Sequence, residues 1–156
     1  MANTQAISVS FMTEMLLGNH QLGSVTLVSR TSLTAPTTDT LKAALYLASA
    51  TINKATAAYT VTGEVANSGT YAAGGATVTN ATTPSNDGTV TFWTPSAAFT
   101  WTGVTATAFD TVLIYNSTQS NKAIANFNFG SQTVVTGNIT LNMPTNNGTT
   151  GLIRFT

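Results

Sequence analysis

One imidazole, five side-chain carboxylates and no thiol are the groups this chain offers for catalysis or metal binding. The imidazole is His20; the acids are Glu14, Asp39, Glu64, Asp87 and Asp110, and no two of them are close in sequence. Tetrahedral zinc calls for Cys and His at short spacings, and a calcium loop calls for alternating Asp and Asn; neither pattern occurs. A serine nucleophile is commonly presented on a G-x-S-x-G turn, which is absent, and the single imidazole reads as a helix-end residue meeting terminal carbonyls. A glycosidase pair can be drawn from the five acids, but their spacing recommends no two of them. Residues 69–75 are glycine-rich yet lack the lysine of a P-loop and run into β-type sequence, so they read as a tight turn. No catalytic residue, metal or cofactor is expected, and the chain does not read as an enzyme.

Aromatic side chains are the remaining candidates. Trp93, Trp101, Tyr59 and Tyr71 have the flat faces that stack on sugar rings, although tryptophans in β sequence belong more often to a core.

The weakest feature of the chain is its charge. Asp, Glu, Lys and Arg make up 6% of 156 residues, against about 25% in an ordinary soluble domain. Five acids balance five bases, Arg30, Lys42, Lys54, Lys122 and Arg154, and the bases are scattered. Long-range attraction to nucleic acid or to anionic lipid therefore has little to act with. A neutral surface favours association, which suits a protein working in an ordered array; a small neutral β-domain with no assembly role is the alternative. The absence of cysteine excludes disulfides. The opening residues lack the basic and apolar regions of a secretion signal, and no run approaches a membrane span, so folding in a cytosol is expected.

These side chains must be carried by mostly β structure. Ser10 can cap a short helix with Phe11, Met15 and Leu16 on one face and Gly18 as its stop. From residue 23 onward β-branched residues dominate and Gly, Asn, Asp and Pro punctuate at short intervals. Strands are expected from Leu41, where helix is the rival reading, and over 75–79, 89–93, 105–116, 122–129, 137–143 and 151–155. Asp87-Gly88 and Asn147-Gly148 supply reversals, Thr102-Gly103 and Thr136-Gly137 fall between β runs, and 116–121 reads as a hairpin connection. The expected organisation is an N-terminal segment, 1–22, bearing the helix, then one domain over 23–156. The fold class is all-β: an antiparallel β-sandwich, jelly-roll-like.

Certain phrases carry a resemblance. The opening S-F-M-T-E-M-L-L-G-N-H-Q-L, the run D-T-L-K-A-A-L-Y from Asp39, the 59–75 stretch and the V-L-I-Y-N-S-T hairpin from Val112 resemble a family of small tailed-bacteriophage virion structural proteins. The resemblance implies a capsid cement or decoration protein on the exterior of the virion head. Its partners would be the major capsid protein and itself as a homo-oligomer, a trimer rather than a dimer, because icosahedral shells offer many three-fold junctions. A tail or head-fibre module that binds a host receptor or glycan through Tyr59, Tyr71 and Trp101 is the alternative. Subunit contacts are expected from Phe11, Met12, Met15 and Leu16, if they form a bridging arm rather than packing on their own domain, and from the loops carrying Tyr59 and Tyr71. No nucleic acid and no membrane is expected among the partners.

Overall fold

The computed structural model describes residues 3–8, Phe11, Met15, His20, Leu22, 38–79 and 82–155. Among these residues the strands are β1 (Ala6–Ile7), β2 (Leu41–Leu47), β3 (Ala76–Thr77), β4 (Ser85–Asn86), β5 (Thr91–Trp93), β6 (Phe99–Asn116), β7 (Lys122–Leu141) and β8 (Ile153–Phe155). They pair antiparallel throughout, in a five-stranded sheet of order β1-β7-β6-β2-β3 and a three-stranded sheet of order β4-β5-β8.

The β6–β7 hairpin is the spine, with strands of 18 and 20 residues. Asn116 Oδ1 accepts the backbone amides of Thr118 and Gln119, each at 3.1 Å. Ser120 and Asn121 then take φ of 53° and 59°, the left-handed values that a tight reversal needs. The Asp87-Gly88 reversal also forms, between β4 and β5: Gly88 has φ of 91°, and Asp87 N donates to Val90 O at 3.3 Å.

β2 is a strand because it is buried on both faces. Leu41, Ala43 and Leu45 enter one apolar cluster and Ala44 and Tyr46 another, so its sequence reads as a nearly unbroken apolar run. On the first face Leu41, Leu45, Val112, Ile114 and Ile124 meet Trp93 and Ile153 of the smaller sheet, giving a β-sandwich-like core. Residues 48–75 cover the second face, where Ala50, Ile52 and Tyr59 lie over Ala44, Tyr46, Leu113, Tyr115 and Ala123.

Two expected reversals are irregularities inside long strands instead. The expected strands 122–129 and 137–143 merge into one, β7, which ends at Leu141, although Thr136 does take φ of 47°. β6 runs opposite on both sides of this point, with Trp101 facing Ile139, Val104 facing Gly137 and Ala106 facing Val134, so the turn-like residue shifts the register without reversing the chain. Gly103, with φ of 66°, acts likewise in β6 between Trp101 and Val104. Gly103 and, further along β6, Ala108 with φ of 51° each reset the alternation, which keeps Phe99, Trp101, Val104, Ala106 and Phe109 all in the core.

Several of the described residues before 23 are built into the sheet and its core. Ala6 pairs with Asn126 and Ile7 with Ala125, and Phe11 and Leu22 are buried in the larger cluster. Of the segment expected to form a helix, only Phe11 and Met15 lie among the described residues.

Candidate interaction surface

The side chains best suited to chemistry are spent on the interior. All four tyrosines of the chain gather around Glu64. Tyr59 donates to Glu64 Oε2 at 2.6 Å, Tyr71 to Oε1 at 2.8 Å, and the Gly74 amide to Oε1 at 2.7 Å. Tyr115 donates to Gly74 O at 2.7 Å and Tyr46 to Thr60 O at 2.5 Å. Burial is the first cause raising all four phenols, and the nearby Glu64 charge adds to it; Tyr115 is pushed up to about 12 and the others beyond that. A buried carboxylate is tolerable only when hydrogen-bonded, and here three donors supply the bonds.

Two more carboxylates are buried and bonded. Asp110 Oδ1 accepts from Asn3 Nδ2 at 2.7 Å and from Thr111 Oγ1 at 2.8 Å. Asp39 Oδ2 accepts from Asn116 Nδ2 at 2.6 Å, and that nitrogen lies 3.1 Å from His20 Nδ1. His20 therefore meets a side chain of β6, with Phe11 edge-on at 4.9 Å; the helix-end residues whose carbonyls it was expected to meet lie outside the described residues. Among the described residues no three His, Cys, Asp or Glu side chains converge in a way that could hold a metal ion.

Most of the aromatic candidates lie inside the chain. Tyr71 is 2% exposed, and its hydroxyl is engaged by Glu64 and by Leu45 N at 2.9 Å. It is a core residue and presents no face to a neighbouring subunit. Tyr59 is half-buried and stacks on Tyr115 at 4.7 Å. Trp101 is also 2% exposed and meets Tyr71 edge-on, so Tyr71 and Trp101 form no platform for a sugar ring. Phe11 is fully buried against its own chain, with Phe155 stacked at 6.4 Å, whereas Met15 is exposed. Met12 and Leu16 lie outside the described residues.

The surface that does stand open runs along β7. Phe127, Phe129, Leu141 and Met143 are half-buried, packed against the core on one side only. The reason is length: β7 extends for 20 residues while β5 and β8 of the covering sheet have 3 each. Two adjoining hollows of about 350 and 230 Å³ result, sharing Phe129, Thr140 and Leu141 as walls, and among the described residues no charged one lines either. The period-two alternation of these apolar residues is visible in the sequence, but it reads there as a fully covered face.

The edge of β7 is open as well. Among the described residues the pairing on the side away from β6 is confined to the first residues of the strand, where Lys122 meets Ala58, Ala123 N donates to Ala57 O, and Ala125 and Asn126 meet β1. No family model, no curated protein and no solved structure matches this chain. Nothing beyond the quoted sequence phrases points to a phage protein family.

Proposed function

We propose that this chain is a bacteriophage capsid cement or decoration protein, which binds the outer surface of the head and stabilises contacts between major capsid protein subunits. The observation that carries the reading is the uncharged apolar trough along β7, whose walls Phe127, Phe129, Leu141 and Met143 are half-covered by the chain itself. A partner seated there strips no charge of its water. Each Å² of apolar surface covered contributes about 25 cal/mol before association costs are subtracted. Thr and Asn on the surrounding surface supply hydrogen bonds at a seam without desolvating charge. The phrases resembling phage virion proteins indicate which partner that is.

In this reading the two sheets form a jelly-roll-like sandwich with a short N-terminal helix. The protein is made in the host bacterial cytoplasm, acts on the virion exterior as a homo-oligomer, and needs no cofactor. Electron cryo-microscopy of particles with and without it is the test. Density bridging capsid subunits on the outer head surface, together with lower heat resistance of particles lacking the protein, is the expected result. Density confined to the tail, or equal heat resistance, overturns the reading.

A further inference from the structure

We propose that the outer edge of β7 is a self-pairing edge: a second copy of this chain lays its own β7 antiparallel along residues 131–135, forming a two-fold dimer through backbone hydrogen bonds. The inference rests only on the self-association part of the reading above, and not on the capsid.

An edge strand presents a row of unpaired amides and carbonyls, and proteins that remain monomeric blunt it with charge, proline, a short strand, a bulge or a cover. Residues 127–141 contain no Asp, Glu, Lys, Arg or Pro. The far edge of the same ribbon is treated differently. Opposite this part of β7, the outer side of β6 is capped by the loop carrying Ser68 and Thr70. Thr70 N donates to Thr102 O at 2.9 Å, Thr70 Oγ1 accepts from Thr102 N at 2.8 Å, and Ser68 Oγ accepts from Thr105 N at 3.0 Å. Along this stretch the described residues cover one side of the ribbon and leave the other bare.

The bare edge already accepts a strand. β1 pairs antiparallel on it at Ala125 and Asn126, and a strand from a second copy would continue along the same edge. Its extent is set by backbone geometry. Gly130, with φ of 78°, and Thr136, with φ of 47°, bound the stretch 131–135, and bulge-type conformations of this sort interrupt a ladder. Five residues at roughly 3.4 Å each give about 17 Å of ladder, an ordinary strand length.

The stretch is also self-complementary. Directly opposed residues in an antiparallel pair share a face, so a two-fold axis perpendicular to the sheet must pass through a residue facing its own copy. Centred on Thr133, the pairing sets Ser131 against the partner subunit's Val135 and Gln132 against the partner subunit's Val134. No charge confronts another. Val135, 72% exposed and the most exposed large hydrophobic side chain among the described residues, gains cover. An isologous contact of this kind closes at two copies and does not propagate into fibres, a different outcome from the trimer expected from shell junctions.

Sedimentation velocity on the full-length protein, free of capsid, tests the pairing. The wild type is expected to be a dimer. The Ser131→Lys/Val135→Lys double variant sets like charges opposite each other twice and should weaken the dimer by roughly tenfold or more. Ser131→Glu/Val135→Lys sets opposite charges in the same register and should keep it. All four substituted positions in the dimer are exposed in the single chain, and far-ultraviolet circular dichroism confirms that both variants are folded. A monomeric wild type at the highest soluble concentration overturns the proposal. So does identical association of the two double variants, which would place the interface elsewhere. Neither result bears on whether the protein decorates a head, which the particle density decides separately.

Discussion

Tyr71 joins Glu64 to the sheet: its hydroxyl donates to Glu64 Oε1 at 2.8 Å while accepting the Leu45 backbone amide of β2 at 2.9 Å. Through that one oxygen the covering segment 48–75 is bonded to the centre of the fold. A β-strand amide is thereby satisfied by a side chain where the ladder has an opening. Loss of either partner leaves a buried polar group without its bond, and the penalty for that exceeds the net worth of the bond.

Tyr71→Phe is accordingly expected to cost about 2 kcal/mol, since it removes a donor from a carboxylate and an acceptor from an amide while leaving the ring in place. Urea denaturation followed by tryptophan fluorescence should show a lower midpoint at an unchanged slope. A change below about 0.5 kcal/mol would mean that water enters the site and replaces the hydroxyl.

The same cluster sets the response to alkali. Tyr115 is pushed up to about 12, and Tyr46, Tyr59 and Tyr71 are raised further, burial being the first cause in each. An unfolded tyrosine ionises near pH 10, so above that pH the unfolded chain binds fewer protons than the folded one. The stabilising contribution is complete below about pH 10 and is lost as pH rises from there through the folded-state values. Thermal midpoints should hold level approaching pH 10 and fall beyond it, with tyrosinate absorbance appearing together with unfolding. Tyrosinate formed at ordinary pH in a protein that is still folded would contradict this account.

The parts of the fold legible in the sequence are those fixed by short-range pattern. β2, the Asp87-Gly88 reversal and the 116–121 connection all follow from alternation, apolar content and residues that tolerate positive φ. Thr136-Gly137 has the local chemistry of a turn, and Thr136 does adopt φ of 47°, but pairing with β6 on both sides overrides it. The tyrosine cluster was illegible for another reason. Tyr46, Tyr59, Glu64, Tyr71 and Tyr115 converge only after residues 48–75 fold across the sheet, and no spacing announces that path. For the β7 trough the apolar residues could be read, but their half-covered state depends on how far the smaller sheet reaches.

Gly75 tests how tightly that covering segment is laid down. With φ of 72°, it brings its backbone so close to β2 that a Cβ built there would lie 1.9 Å from Ala43 O. Neither the conformation nor the space admits a side chain. Gly75→Ala should destabilise by roughly 3 kcal/mol or more, combining backbone strain with overpacking. For a chain of this size that lowers the thermal midpoint by about 6–12 °C, measurable by calorimetry. A shift of a degree or less would show that the segment can lift away from β2 at little cost.

Asn3 decides whether the N-terminal residues are a detachable arm or part of the domain. Its Nδ2 donates to Asp110 Oδ1 at 2.7 Å and to Leu47 O at 3.1 Å, and its Oδ1 accepts from Ile52 N at 2.9 Å. One side chain thus serves a buried carboxylate, the end of β2 and the covering segment, while Ala6 and Ile7 extend the sheet beside it. Hydrogen bonds to charged groups contribute about 1.5–3 kcal/mol, so Asn3→Ala should cost about 3 kcal/mol. Removing residues 1–22 also strips Phe11 and Leu22 from the core and should leave the remainder unfolded or molten, with near-ultraviolet circular dichroism lost. If the truncated chain instead kept a cooperative thermal transition and lost only its association, the N-terminal residues would be an exchangeable arm, and their bonds to Asp110 and Ile52 would be dispensable to the fold.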